Sequence, residues 1–316
     1  MTSRVDAFQR RHDRVGFPIA VLYKYVDDSG GNLAALLTYY GFLSLFPLLL
    51  LGSTILGLVL AGDPGAQQSI LNSALSQFPV IGEQLRRPEH LGGGTMGLLL
   101  GGLGALYGGL GGAVALQNAM NTAWTVPKNN RPNPLQSRAR GLLLLATVGV
   151  ALLGTTVLSA LAGGVGPLGF GTRMLVMAAS VIVNAVAFVV AFRVATARPL
   201  SVRDVAPGAI AAAVIWQVLQ SIGATYVGHV VKNSSDTNGV FALVLGLIAF
   251  MYAESVAVLL CVEINVVRVD CLYPRALLTL LTDDVELTAG DRRAYTSQAK
   301  AQRNKGFEQI DVHYDR

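Results

Sequence analysis

Two carboxylates, Glu254 and Glu263, stand in an otherwise apolar run near the end of the chain. An acid held inside a membrane carries protons or ions, or anchors a neighbouring helix. At roughly 100° per residue, the nine positions between them turn the two carboxylates to opposite helix faces, so they do not form a paired acid and base. Tyr252, eleven residues before Glu263, shares the latter's side. Counted from Gly239 at about 1.5 Å per residue, Glu254 lies about 22 Å along the helix and Glu263 about 36 Å. Glu254 therefore falls within hydrocarbon and Glu263 near an interface. Glu254 reads either as a proton-coupling group or as a neutral carboxyl bonded to the next helix; Glu263 reads as a carboxylate bound to Arg268 or to another loop base.

Further polar side chains recur inside apolar stretches, where each needs a partner or water. Tyr40, Ser44, Pro47 and Thr54 share one face of the first stretch, and Pro47 removes a backbone bond and is expected to kink it. Asn118 and Asn121 extend a glycine face in the second, Gln217 and Gln220 lie about a turn apart in the fifth, and Asn265 follows Glu263 in the sixth. Together these residues can line a polar groove; interhelical hydrogen bonding alone would need the same set. From Gly92 to Gly112, 11 of 21 residues are glycine, with runs at four-residue spacing, Gly93, Gly97, Gly101 and Gly104, Gly108, Gly112. Small residues let helix backbones approach closely in lipid. The same glycines weaken a helix, so this stretch reads either as tight packing or as a hinge beside a cavity.

Metal, cofactor and nuclease chemistry lack such a basis. His12, His90, His229 and His313 are scattered, and neither they nor Cys261 and Cys271 show metal-ligand spacing. A nuclease would need a basic groove and clustered carboxylates, and neither pattern is present. The reading is of a protein that is no enzyme, takes no cofactor or metal and binds no nucleic acid. Its formal charge of +5 does not argue otherwise, because the tail from Arg268 carries eight acids against eight bases.

The elements that must position these groups are membrane spans. Of 316 residues 52% are hydrophobic and 14% charged, too few polar groups to cover a soluble core of that size. Six stretches are long enough to cross a bilayer: about Leu33 to Ala61, Gly92 to Ala123, Gly141 to Leu161, Met174 to Phe192, Pro207 to Val231 and Gly239 to Val267. Twenty of 24 Lys and Arg residues fall before the first, after the second, after the fourth and after the sixth; only Arg86, Arg87, Arg173 and Lys232 fall in the other gaps. Basic loops stay in the cytoplasm, so the fold class is an all-α polytopic bundle of six transmembrane helices with both termini cytoplasmic. The organisation is a cytoplasmic segment over 1–32, a membrane domain over 33–267 and a polar cytoplasmic tail over 268–316, largely disordered. Within 1–32, Phe17 to Val26 reads as an interfacial helix, with Gly30, Gly31 and Asn32 marking the turn into the membrane. Ile70, Leu71, Ala74, Leu75 and Phe78 recur at helical spacing and predict a second interfacial helix between the first two spans. The first span starts late and is long, so no cleaved leader is expected. Cys261 and Cys271 lie at the cytoplasmic end of the last span and are expected to be unpaired thiols.

Several of these residues also carry a likeness. Ala34 to Leu50, with Tyr39, Tyr40 and Ser44-Leu45-Phe46-Pro47, resembles the first span of the YihY/BrkB family of bacterial inner-membrane proteins. Asn121 to Arg140, with Trp124, Pro127 and Arg131, is similar to that family's cytoplasmic loop. Pro207-Gly208-Ala209, Trp216, Tyr226-Val227 and Glu263-Ile264-Asn265 are similar to its last two spans, nearest in its YhjD-like branch. The resemblance covers roughly Asp27 to Arg268 and implies a six-span helical fold in the bacterial inner membrane. The family once bore a ribonuclease BN label, and some members are linked to envelope lipid export or serum resistance. This chain departs from the pattern with Cys261-Val262 in place of Gly-Ala and with Phe250 and Glu254 in place of Trp and Ser, so no role for Glu254 follows from the likeness.

Function then reads as a transporter or flippase-like protein for a lipid-linked or amphiphilic envelope component, whose partners are membrane lipids. Lys128, Arg131, Arg138 and Arg140 are candidates to hold anionic headgroups. The alternative is a non-transporting membrane scaffold working through its tails and glycine faces, and a homo-oligomer is open under either.

Overall fold

The computed structural model describes residues 2–59, 94–163, 170–233, 236–277, 279, 282 and 285–314. Among them there are nine α-helices and no strand. Helix α1 spans Thr2–Arg11, α2 Asp13–Asp27, α3 Gly30–Val59, α4 Gly94–Ala123, α5 Pro134–Gly163, α6 Phe170–Ala195, α7 Val202–Asn233, α8 Asp236–Val269 and α9 Ala289–Ala301. The six long helices overlap the six apolar stretches, mostly overrunning them at the polar ends, by as much as the interval from Pro134 to Gly141, where hydropathy fades before the backbone pattern does. Five of them, α4 to α8, contain segments long and apolar enough to cross a membrane. Their outward faces are apolar, with Leu103, Val150, Leu175, Ile182 and Ile210 among the large exposed side chains. So broad an apolar exterior fits lipid and not water.

Each long helix packs on the next in sequence, and α8 closes the ring by packing on α3; α4 also touches α6 and α8. The described core gathers at one end of this bundle. Ala119, Met120 and Trp124 at the end of α4, Phe192 and Ala195 at the end of α6, Val205 and Ala209 at the start of α7, and Val262 and Val266 near the end of α8 form one cluster with Ala20 and Val21 of α2. This is the end that carries the basic gaps, and α1, α2 and α9 pack across it. Three turns that leave helices here take left-handed backbone, at Ser29 (φ 54°), Thr125 (φ 47°) and Cys271 (φ 51°).

The glycine-rich helix runs unbroken from Gly94 to Ala123, and its glycines bring it against α3. A Cβ at Gly108 would stand 2.8 Å from Ser44 Cα, and one at Gly104 would stand 2.8 Å from the ring of Pro47, while Gly111 faces the Tyr40 ring. α3 itself is a single helix through Pro47. Tyr40, Ser44 and Pro47 of the polar face expected on α3 thus lie against the glycine face of α4, while the Thr54 side chain lies outside the described residues. Gly93 and the segment from Gly62 to Leu91, including Arg86, Arg87 and the expected interfacial helix, lie outside the described residues.

The chain after Arg268 contains one further described helix. α9 starts with a reciprocal capping box between Thr288 and Asp291 and lies against the bundle end, with Asp291 and Ala294 buried. Both cysteines are free, Cys261 buried and Cys271 exposed.

The seam between α3 and α4 yields a direct expectation. Gly108→Ala forces the two helices apart at the Ser44 backbone and is expected to cost about 1 to 3 kcal/mol in thermal unfolding of the solubilised protein. Gly102→Ala, where nothing lies within 4 Å of the new methyl group, is expected to be neutral or slightly stabilising. Equal unfolding temperatures for the two variants would show that close approach at Gly108 does not hold the seam.

Candidate functional site

The polar residues of the last span are placed by the opening of α7. Pro207 has no N–H, so the carbonyl of Arg203, four residues earlier, loses its helical donor. Arg268 of α8 supplies the replacement, its guanidinium donating to the carbonyl oxygens of Arg203 (2.6 Å) and Asp204 (3.0 Å). One turn back on α8, Asn265 accepts from the Gly208 N–H (2.8 Å) and donates to the Val205 carbonyl (3.0 Å). A Cβ at Gly208 would run into the Cys261 carbonyl and the Asn265 amide, so only glycine permits this approach. Pro207-Gly208 and Asn265-Arg268 are therefore two halves of one joint between α7 and α8.

Glu263 faces a different element. It is 3% exposed, and its Oε2 lies 3.9 Å from the ammonium of Lys24 on α2, which is itself 2% exposed. Lys24 donates to the carboxylate of Asp28 one turn on and to the Ala123 carbonyl at the end of α4 (3.1 Å). The expected partner, Arg268, is occupied with α7, and the cation beside Glu263 comes from more than two hundred residues upstream. Burial works against the charge on Lys24, but Glu263 and Asp28 more than offset it, and the ammonium is held above its ordinary pKa. Burial pushes the Asp28 carboxyl up despite Lys24 beside it.

A second buried charge ties the termini together. Arg275, 0% exposed, bonds Asp27 of α2 (2.8 Å) and Asp291 of α9, and it stacks on the rings of Tyr295 and Tyr23. Its carbonyl accepts from Gln9 of α1, and Asp6 accepts from the Leu277 N–H (3.0 Å). Arg198, in the turn after α6, grips Asp270 with both terminal nitrogens (3.0 and 2.9 Å) and lies over Trp124. Lys24, Asp27, Asp28, Arg275 and Asp291 were not singled out as site residues from the sequence. The one local signal was the spacing of Lys24 and Asp28, four residues apart on a helix; the other pairings join distant parts of the chain.

The remaining candidates fall into separate contacts. Asn121, buried, accepts from the Ala197 N–H in the α6–α7 turn (2.8 Å). Asn118 accepts from Arg131 (2.8 Å), which also donates to the Val126 carbonyl (3.2 Å) and reaches Thr122 (3.4 Å). Arg131 thus folds its own loop, whereas Lys128 and Arg138 are exposed and Arg140 is half-buried. Tyr40, Ser44 and Pro47 meet Gly111, Gly108 and Gly104. Gly101 is buried, Gly112 lies 3.6 Å from Tyr40 Cβ as a Cβ position, and Gly97 is helical. Tyr252 is exposed with its hydroxyl by Gly31, away from the buried surroundings of Glu263. In mid-span, Gln220 of α7 reaches the carboxyl of Glu254 on α8 at 3.5 Å, and both are half-buried; Gln217 is half-buried three residues earlier. Among the described residues no group of three or more His, Cys, Asp or Glu side chains is arranged to hold a metal ion.

Comparison with known proteins adds one finding. The model of the family described as Virulence factor BrkB matches residues 21–276, from α2 through the last span to Arg275 and Ala276. No curated protein and no solved structure matches the chain.

Removing the cation that joins the termini tests this arrangement. Arg275→Met leaves Asp27 and Asp291 without their buried partner and is expected to cost about 3 to 5 kcal/mol, with new protease cleavage between 277 and 288 in the solubilised protein. Wild-type resistance to cleavage in that variant would mean that the tail is held by other contacts.

Proposed function

The chain belongs to the BrkB family, and from that premise we propose that this multi-pass membrane protein is a transporter or flippase-like protein for a lipid-linked or amphiphilic envelope component in the bacterial inner membrane. The observation that carries the proposal is Glu254. It sits about midway along α8, between helices whose outward faces are apolar, and its one described partner is the weak contact from Gln220. An acid at the centre of a span costs roughly 2.5 to 3.5 kcal/mol on insertion scales, and such residues are candidates for substrate or ion pathways. Several of the other intramembrane polar candidates are engaged in holding helices together, whereas Glu254 has one long contact.

Exposed Lys128 and Arg138 lie at the bundle end carrying the basic gaps, where anionic headgroups would be met. We place that end in the cytoplasm, with α3 as the sixth span. The meeting of α1, α2 and α9 at one end supports this, because an even number of crossings returns the chain to the side it left. Reporter enzymes fused after Arg140 and after Arg203 are expected to read cytoplasmic, and periplasmic activity at either position overturns the orientation. The scaffold alternative loses its free C-terminal tail to the packing of α9. We propose no enzymatic activity and no nucleic-acid partner; RNA cleavage by the purified protein, lost on substitution of its buried acids, would reverse that.

The test is movement of fluorescent lipid analogues in vesicles containing the full chain. Wild-type protein is expected to move analogues with anionic or bulky headgroups faster than protein-free vesicles, and Glu254→Gln is expected to fall towards the protein-free rate while folding normally. No movement above protein-free vesicles across neutral and anionic headgroups contradicts transport.

A further inference from the structure

The junction of α2 with α8 holds more negative charge than its cations can balance. Two cations, Lys24 and Arg275, meet four carboxyls there: Asp27 and Asp28 at the end of α2, Glu263 on α8 and Asp291 on α9. Arg275 takes Asp27 and Asp291, which leaves Lys24 alone with Asp28 and Glu263. With every group ionised this inner trio carries a net charge of −1, although all three side chains are at most 4% exposed. An unbalanced buried anion costs several kcal/mol, so the site needs a further positive charge.

The hydrogen bonds say where it belongs. Lys24 gives N–H groups to Asp28 and to the Ala123 carbonyl, and its distance of 3.9 Å to Glu263 Oε2 is too long for a hydrogen bond. Glu263 Oε2 is buried with no hydrogen-bond partner. Both carboxyls lie against the same ammonium, Asp28 bonded to it and Glu263 Oε2 3.9 Å from it. Two ionised carboxylates are acceptors only and repel; a pair with one proton between them makes a short, strong hydrogen bond. A metal ion in that place would meet the Lys24 ammonium, which already occupies the cationic position.

We propose that Asp28 and Glu263 together bind one proton, forming a proton site between α2 and α8 that makes the docking of α2 sensitive to pH. The charged groups facing the pair are Lys24 and Asp27 from α2 itself and, beyond Asp27, Arg275 of the chain after α8 and Asp291 of α9. The bound proton neutralises the trio. Its loss at alkaline pH restores the net negative charge and loosens α2 from α8. Burial already pushes Asp28 up, in the direction the shared proton requires. The site stands whether or not the protein moves lipid.

Infrared spectroscopy of the full chain in lipid nanodiscs tests it, in a Glu254→Gln background that removes the other intramembrane carboxyl. Near neutral pH this protein is expected to show a protonated-carboxyl C=O band that shifts in D2O. Adding Asp28→Asn or Glu263→Gln is expected to abolish the band in both cases, because either remaining carboxyl, alone with Lys24, ionises. Absence of the band in the background protein overturns the proposal, and so does its survival in one of the two variants, which would give the proton to a single residue. If a variant fails to fold, the background protein decides: reversible loss of the band on raising the pH supports the site, and a band unchanged by alkaline pH contradicts it.

Discussion

The cytoplasm-assigned end of α8 is largely enclosed by protein, so its buried polar groups have to be met by protein, and most of the fold's long-range order follows from how that is done. Cys261, Val262, Val266 and Val267 are fully enclosed, yet Glu263, Asn265, Arg268 and Asp270 lie among them or just beyond. The four fasten three elements: α2 through Lys24, the opening of α7 through Gly208, Val205 and Arg203, and the α6–α7 turn through Arg198. The carbonyl of Arg203, which loses its helical donor at Pro207, is met by Arg268 of α8, and the buried Val205 carbonyl by Asn265.

The same accounting separates packing from function. Gly104, Gly108 and Gly111 spend the polar face of α3 on close contact with α4, and Asn118, Asn121 and Arg131 are spent on the turns that follow α4 and α6. A continuous polar groove through all the candidate residues is not what these contacts describe. Among the acids, Glu254 in mid-span has one long contact and Glu263 Oε2 at the base has no hydrogen-bond partner. Intramembrane charge that packing does not need is where chemistry is to be sought.

The sequence disclosed the spans because hydropathy is a local property: α4 to α8 overlap stretches read from composition alone. The likeness in Pro207-Gly208-Ala209 and Glu263-Ile264-Asn265 marked both halves of the α7–α8 joint without revealing that they touch. Tertiary pairing was not legible. Arg275 with Asp27, Asp6 with Leu277 and Lys24 with Glu263 join residues far apart in the chain, and a tail balanced between eight acids and eight bases has the composition of a disordered one. Thr288 and Asp291, at capping-box spacing with Asp in place of the usual Glu, were the one local sign that α9 would form.

Thermal unfolding of the solubilised full chain carrying Asn265→Leu tests most directly whether α8 completes α7. The substitution keeps the volume while removing the side-chain acceptor of the Gly208 N–H and the side-chain donor to the Val205 carbonyl. A loss of about 2 kcal/mol or more is expected relative to wild type, with Gln217→Leu, on an outer turn of α7, close to unchanged. Equal unfolding temperatures for Asn265→Leu and wild type would contradict the account.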